Sequence, residues 1–436
     1  MSGLLIAAPH SGAGKTTITL GLLRALKRAG VALAPGKAGP DYIDPAFHAA
    51  ASGEPCLNFD AWAMRPELIS ANAALHRQGG RLLLIEAMMG LFDGAADGTG
   101  SAADLAALLG LSVVLVVDCA ATSHSVAALV KGFADFRPGV LVVGVILNRV
   151  GSPRHEAMLR QALEAIRMPV LGVIGTEAGL ALPRRHLGLV QAAEHGDLDG
   201  FIDQAASLVE RGCDLAALQK AAKRMPDKVS EANIARLPPL GQRIAVARDE
   251  AFAFCYEHML MGWKRRGAEI RFFSPLENEA PAQDADAIYL PGGYPELHAA
   301  RLVEALSFKA ALHAAARSAT KIFGECGGYM VLGDALVDAE GRSHAMTGLL
   351  PLTTSFADRK RYLGYRRLTP LQKDFFAGAM TAHEFHYSTV QQEGEADRLF
   401  RAEDALGEDL GPVGLRRGSV AGSYMHLIDL AGDLPQ

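Results

Sequence analysis

The stretch from Leu4 to Thr17 constrains this chain more than any other. Leu4, Leu5, Ile6, Ala7 and Ala8 form an apolar run suited to a buried strand, which breaks at Pro9-His10-Ser11-Gly12-Ala13-Gly14 into a small, glycine-rich turn. Lys15, Thr16 and Thr17 then head a helix whose apolar residues, Ile18, Leu22, Leu26 and Ala29, recur at helical spacing up to Gly30. A strand, a glycine turn and a helix in that order can close on a phosphate. The glycines let consecutive backbone N–H groups face one anion, the helix start adds its positive dipole end, Lys15 reaches the outer phosphates, and Thr16 offers a hydroxyl to Mg²⁺. Ser11, Gly12, Ala13, Gly14, Lys15, Thr16 and Thr17 are therefore the expected nucleotide-binding residues. Pro9 stands where the strict G-x-x-x-x-G-K-[ST] pattern has its first glycine.

A length of 436 residues exceeds one ordinary core, and a composition of 50% hydrophobic and 21% charged residues is that of a folded chain of two or three domains. The net charge of −5 gives no electrostatic footprint for nucleic acid. Five cysteines, Cys56, Cys119, Cys213, Cys255 and Cys326, are scattered without metal-ligand spacing, which disfavours a disulfide framework and a zinc site alike. The N-terminus runs straight into the phosphate loop, and no apolar run approaches the roughly 18 residues of a membrane span. A cytoplasmic protein with neither leader nor membrane span is the expectation.

Strands alternate with helices six times within the first 175 or so positions, which predicts a doubly wound sheet. Val31 to Ala34 reads as its second strand and delivers a loop, residues 35–45, dense in glycine, proline and charge. In an open α/β sheet that edge holds ligands, so Lys37, Asp41 and Asp44 are candidates for phosphate, metal or substrate contacts. Glu86, at the end of the strand over residues 81–87, is placed to hold Mg²⁺, with Asp118 at the end of the next strand a rival or a turn residue. Asn148 closes the strand over residues 140–147 and suits an adenine. Arg184 and Arg185 form a small basic cluster that suits carboxylates. Residues 196–241 read as a helical segment ending in a Pro-Pro linker, which leaves domains at 1–195 and 242–436.

The second domain is again α/β, with strands expected over residues 243–248, 269–273, 287–290 and 321–323. The last breaks at Gly324-Glu325-Cys326-Gly327-Gly328 before a helix, which sets a cysteine at a sharp strand-to-helix turn, the arrangement that exposes the serine of G-x-S-x-G enzymes. The helix start is expected to lower the thiol pKa. His426, in Gly422-Ser423-Tyr424-Met425-His426, is the expected base, with His383 and His386 as rivals. Backbone N–H groups around Gly293 and Gly327 are the expected oxyanion donors. The other four cysteines read as small apolar residues.

The loop Ser-Gly-Ala-Gly-Lys-Thr-Thr, followed far downstream by Leu-Pro-Gly-Gly-Tyr-Pro-Glu, Gly-Glu-Cys-Gly-Gly-Tyr-Met, His-Glu-Phe-His-Tyr-Ser and Ser-Tyr-Met-His, resembles the cobyrinic acid and hydrogenobyrinic acid a,c-diamide synthases over essentially the whole chain. The resemblance implies an amidotransferase of cobalamin biosynthesis with two parts. An ATP-Mg²⁺-dependent domain similar to dethiobiotin synthetase phosphorylates a corrinoid carboxylate, and a class I glutaminase-like, flavodoxin-like domain supplies ammonia from glutamine. It matches Lys15 and Thr16 to the phosphate loop, Asp41, Asp44, Glu86 and Asp93 to the acidic positions around ATP and substrate, Cys326 to the nucleophile and His426 to its base. A homodimer is compatible with it.

Two departures stand out. Class I glutaminases carry Glu two residues after the histidine, where this chain has Ile428 and then Asp429, so the third triad member is missing or supplied elsewhere. Arg184 also stands where the family tends to show an acid. Two other readings stay open at this point: a cobyric acid synthase, and a regulatory P-loop ATPase with a non-catalytic glutaminase-like domain.

Overall fold

The computed structural model describes residues 2–176, 184–185, 188–189, 191–224 and 234–432, and its chain forms two units, Met1–Ile234 and Ala235–Gln436. In the first unit the strands are β1 (Ser2–Ala7), β2 (Leu33–Ala38), β3 (Leu57–Phe59), β4 (Leu82–Glu86), β5 (Ser112–Asp118), β6 (Leu141–Val150) and β7 (Val170–Gly175). They lie parallel in the order β3-β2-β4-β1-β5-β6-β7. Val113 to Val117 are fully buried, as a parallel strand covered on both faces requires, and each such side chain contributes roughly 1.5–3 kcal/mol by leaving water.

The helices of this unit are α1 (Lys15–Arg28), α2 (Asp44–Ser52), α3 (Pro66–His76), α4 (Ala102–Leu109), α5 (Val126–Asp135), α6 (Pro153–Ala165), α7 (Leu198–Gly212) and α8 (Leu215–Ala221). Residues 198–212, read from sequence as part of a separate segment, pack onto α1. A methyl group on Gly21 would sit 2.6 Å from the Ala205 carbonyl oxygen, and Arg24 pairs with Asp199 at 2.9 Å and Asp203 at 2.7 Å.

Lys37 belongs to the buried strand β2, where the sequence pattern expected a loop. Pro35 and Gly36 read as chain breakers, but β3 joins the ladder only from Gly36 onward, so the missing N–H of Pro35 leaves no gap on that side. Gly36 is there for space: a methyl would lie 2.8 Å from the Phe59 ring.

In the second unit β8 (Arg243–Ala247), β9 (Glu269–Phe273), β10 (Ala287–Leu290) and β11 (Lys321–Glu325) form a parallel half. The strands β12 (Tyr362–Pro370), β13 (Met380–His386), β14 (Asp397–Glu403), β15 (Asp409–Arg417), β16 (Val420–Ser423) and β17 (Met425–Leu430) complete a mixed sheet in the order β9-β8-β10-β11-β16-β15-β14-β12-β13-β17. Only β16 in this later set runs parallel to its neighbour β11; its other pairings and those of the remaining strands are antiparallel. The single residue Tyr424 joins β16, in the middle of that order, to β17 at its end, so the antiparallel half curls back toward the parallel one. Four short strands over residues 335–337, 343–345, 352–355 and 389–393 make a small separate sheet.

Candidate active sites

In the first unit the carboxyl ends of β1, β2, β4 and β5 gather the expected residues. Gly14 caps α1 at φ 94°, a left-handed conformation that glycine adopts without strain, and a methyl there would strike the Asn148 amide nitrogen at 2.2 Å. Lys15 is the first helical residue; its ammonium donates to the carbonyl of Met89 at 2.6 Å and lies 3.5 Å from that of His10. Ser11 and Gly12 are exposed, Ala13 is buried, and Thr16 and Thr17 are half-buried in the first turn of α1.

The Thr16 hydroxyl donates to Glu86 Oε1 at 2.7 Å. Lys37 Nζ lies 2.5 Å from Asp44 Oδ2, 3.0 Å from Glu86 Oε1 and 4.0 Å from Asp41 Oδ2, all around the same buried point. Burial works against the Lys37 charge, but Asp44, Glu86 and Asp41 outweigh it and hold the ammonium protonated. Burial raises the Asp44 carboxyl, with Asp41 adding to the effect. Burial also acts to raise Glu86, but Lys37, His48 and Thr16 overcome it and keep that group ionised. His48, which sequence reading missed, places Nε2 2.6 Å from Glu86 Oε2. Thr16, Asp44 and Glu86 present hard oxygens of the kind Mg²⁺ prefers, with the Lys37 ammonium held between the two carboxylates as a cation would be.

Asn148 is spent on the loop itself: its amide donates to the Ala13 carbonyl at 2.8 Å. Arg149, another residue the sequence reading passed over, pairs with Asp118 and donates to the Gly12 carbonyl at 3.0 Å. Both side chains brace the phosphate loop from β6. Asp93 is exposed and accepts from the Gly90 N–H at 2.8 Å. The side chains of Arg184 and Arg185 lie outside the described residues, as does the rest of that basic segment.

Beside Asp93 an open pocket of about 420 Å³ is lined by Pro9 of the loop, Phe92, and Leu129, Gly132, Phe133 and Phe136 on and just after α5. The Phe92 ring lies 5.6 Å from that of Phe133 and 4.8 Å from that of Phe136, and Phe136 is 72% exposed. Phenylalanines spread across distant positions give no sequence motif, so this patch was not legible beforehand.

In the second unit β11 runs into Cys326, held at φ 46° and ψ −103°, and α9 (Gly327–Leu332) follows. A non-glycine residue at positive φ is strained, and the surroundings keep it there. The Cys326 N–H donates to Ser423 O at 2.8 Å, and a methyl on Gly328 would lie 2.0 Å from the Leu290 carbonyl oxygen. Gly292 lies between Cys326 and His426, the expected nucleophile and base: a methyl there would lie 3.3 Å from Cys326 Cβ and 2.4 Å from His426 Cε1. Gly293 and Gly327 are adjacent, a methyl on Gly327 falling 2.9 Å from the Gly293 nitrogen.

The thiol expectation needs correcting. Burial, and then the charge of Glu296, push Cys326 above the ordinary thiol range, and the backbone N–H of Gly327 at the start of the helix only partly opposes them. Burial lowers His426 to about 3, with His383 and His386 adding to the effect. The resting pair is thus a neutral thiol beside a neutral imidazole.

His383 lies opposite His426 in the β13–β17 ladder. His386 sits between the Tyr424 ring at 3.7 Å and the Tyr362 ring at 4.7 Å, with Nε2 3.1 Å from Glu384 Oε1. Burial also raises the other cysteines, Cys213 to about 12 and Cys119 to about 11. Arg359, Lys360 and Arg361 are exposed ahead of β12.

A phosphate loop backed by buried acids, and a cysteine at a strained strand-to-helix turn beside a neutral histidine, define a nucleotide-dependent amidating ligase with its own glutamine amidotransferase domain. Residues 4–190 match the CobQ/CobB/MinD/ParA nucleotide binding domain, and residues 243–433 the CobB/CobQ-like glutamine amidotransferase domain. The chain is 66% identical over 432 residues to the hydrogenobyrinate a,c-diamide synthase of Sinorhizobium sp, covering 99% of this chain and 100% of that one. The enzymes of the same name from Brucella abortus and Mesorhizobium japonicum are 62% identical over 434 residues (99% and 100% covered) and 49% identical over 433 residues (98% of each). The chain belongs to the family of hydrogenobyrinate a,c-diamide synthases. Among the described residues no helix is long and apolar enough to cross a membrane.

Proposed function

We propose that this chain amidates the a and c side-chain carboxylates of hydrogenobyrinic acid in the cytoplasm, using ATP to activate each carboxylate and glutamine to supply the ammonia. The observation that carries the reading is the union in one chain of a loop with Lys15, Lys37 and buried acids and a Cys326–His426 pair, in a family named for that reaction.

A carboxylate is a poor electrophile at neutral pH, and phosphorylation gives its oxygen a leaving group. Lys15 and the loop N–H groups hold the transferring phosphoryl group, and Lys37 orients the attacking carboxylate. Thr16, Asp44 and Glu86 are the residues that would hold Mg²⁺, which would supply positive charge for the phosphate oxygens. At the other site His426 takes the thiol proton as Cys326 attacks the glutamine carboxamide carbon. It returns that proton to the leaving nitrogen, which departs as ammonia, and a water then hydrolyses the thioester to glutamate. Ammonia attacks the acyl phosphate carbon, the C–O bond to phosphate breaks, and the amide forms.

The rings of Phe92, Phe133 and Phe136 suit the face of a conjugated macrocycle whose reacting carboxylate extends past Asp93 toward Lys15. Phe136→Ser is expected to raise the corrinoid KM about tenfold, the worth of roughly 1.4 kcal/mol of apolar contact, with kcat for glutamine hydrolysis unchanged. Steady-state kinetics with a sedimentation control check this; an unchanged KM with loss of a dimer would make the patch a subunit contact. The function itself is tested by incubation with ATP, Mg²⁺, glutamine and either the cobalt-free or the cobalt-containing ring. Two amidations, faster on the cobalt-free ring, are expected, and amidation of neither ring would refute the assignment.

A further inference from the structure

The acid that class I glutaminases place two residues after the histidine is Ile428 here, and its carbonyl accepts from His258 Nε2 at 3.0 Å. The next residue, Asp429, is fully buried, and its Oδ1 accepts the neighbouring Leu430 N–H at 2.8 Å. Another carboxylate stands at the base. Glu325, the last residue of β11 and the one directly before the nucleophile, is 1% exposed and has Oε2 3.8 Å from His426 Nδ1. Two donors fix that carboxyl in place: Tyr289 Oη gives a hydrogen bond to Oε2 at 2.7 Å, and the Leu427 N–H one to Oε1 at 3.2 Å. The Leu427 contact ties Glu325 to the residue just after the histidine, so backbone pairing sets the separation of acid and base.

We propose that Glu325 is the positioning residue for His426, completing from the nucleophile's own strand the triad that the chain lacks at residue 428. The inference rests on the glutaminase reading of Cys326 and His426, and is independent of which corrinoid is amidated. At 3.8 Å the pair is at ion-pair distance, and a ring shift of about 0.6 Å brings it to hydrogen-bond length, a tightening common when substrate arrives. Protonation decides what the contact does. A protonated Glu325 donates to Nδ1 and leaves the ring with its N–H at Nε2, unable to take the thiol proton. An ionised Glu325 accepts from Nδ1–H, frees the Nε2 lone pair for the Cys326 proton, and stabilises the imidazolium that results.

Burial raises Glu325 to about 8, and its carboxylate form therefore grows as pH climbs through that value. The other titratable groups facing the pair are Tyr289 on β10, Cys255, which feels the charge of Glu325, Tyr256 with its ring 6.5 Å from His426, His383 and His386 on β13, and Cys326 itself.

The test is glutamine hydrolysis as a function of pH, with iodoacetamide alkylation of Cys326 as a second readout that needs neither corrinoid nor ATP. In the unaltered protein both rates are expected to rise through about pH 8. Glu325→Gln keeps an acceptor for Nδ1–H but does not titrate, so this limb should vanish from both profiles. Glu325→Ala should lower kcat for glutamine about 100-fold with the glutamine KM little changed, and Glu325→Asp should recover part of the loss. Ammonia-dependent synthesis reports on folding. Profiles of Glu325→Gln that keep the limb of the unaltered protein, or equal loss of ammonia-dependent and glutamine-dependent synthesis in Glu325→Ala, would overturn the proposal.

Discussion

Cys326→Ala is expected to abolish glutamine-dependent amidation, by about 1000-fold or more, while ammonia-dependent amidation persists. The size follows from chemistry: without the thiol no thioester forms, and His426 has no nucleophile to deprotonate. Survival of the ammonia route follows from the division of labour, because the phosphate loop, Lys37 and the buried acids belong to a separate unit, Met1–Ile234. The fold should tolerate the change. Cys326 is a small buried residue whose neighbours are packed by glycines, and alanine removes one sulfur atom from that space. Rates with ammonium chloride in place of glutamine check this, and loss of both activities would make Cys326 a structural residue only.

Lys15→Ala should do the converse. Lys15 lies at the first position of α1, buried, its ammonium reaching the Met89 carbonyl beside the phosphate loop, and burial lowers its pKa from the ordinary lysine value. In the proposed reaction its charge meets the negative charge that builds up on the transferring phosphoryl group, so its loss is expected to cost about 3–4 kcal/mol of transition-state stabilisation, a 100- to 1000-fold fall in synthesis. Glutamine hydrolysis, which uses neither ATP nor that loop, should persist. The check is ATP-dependent synthesis against glutamate release in the same preparation; an unaltered synthesis rate would count against the role of the loop.

The two turns that carry the candidate residues were legible in the sequence because their residues are neighbours along the chain. Gly14, Lys15 and Thr16 share one turn, and Cys326 and Gly327 share another, so local spacing alone carries their geometry. What the fold assembles from distant strands was harder to read. Lys37 looked like a loop residue because Pro35 and Gly36 punctuate the pattern, yet the late start of β3 lets them lie in a buried strand. Asn148 looked like a base reader, and its amide instead supports Ala13. The antiparallel strands after residue 335 alternate only weakly, with several half-exposed positions along β12 and β15, and gave no clear signal.

Protonation states were the least legible. A helix start beside a cysteine suggests an acidic thiol, but desolvation of the whole pocket outweighs it, and only the packed structure shows that balance. The missing triad acid failed for a related reason. A rule about position along the chain looks two residues beyond His426, while the pairing of β11 with β16 and the short link to β17 bring an acid from a hundred residues earlier.

The most direct measurement of the central claim follows the oxygen. Hydrogenobyrinic acid with heavy-oxygen-labelled carboxylates, incubated with ATP, Mg²⁺ and glutamine, should pass one labelled oxygen to inorganic phosphate for every amide formed, because the acyl phosphate leaves with the carboxylate oxygen. Amide formation with unlabelled phosphate would contradict the account.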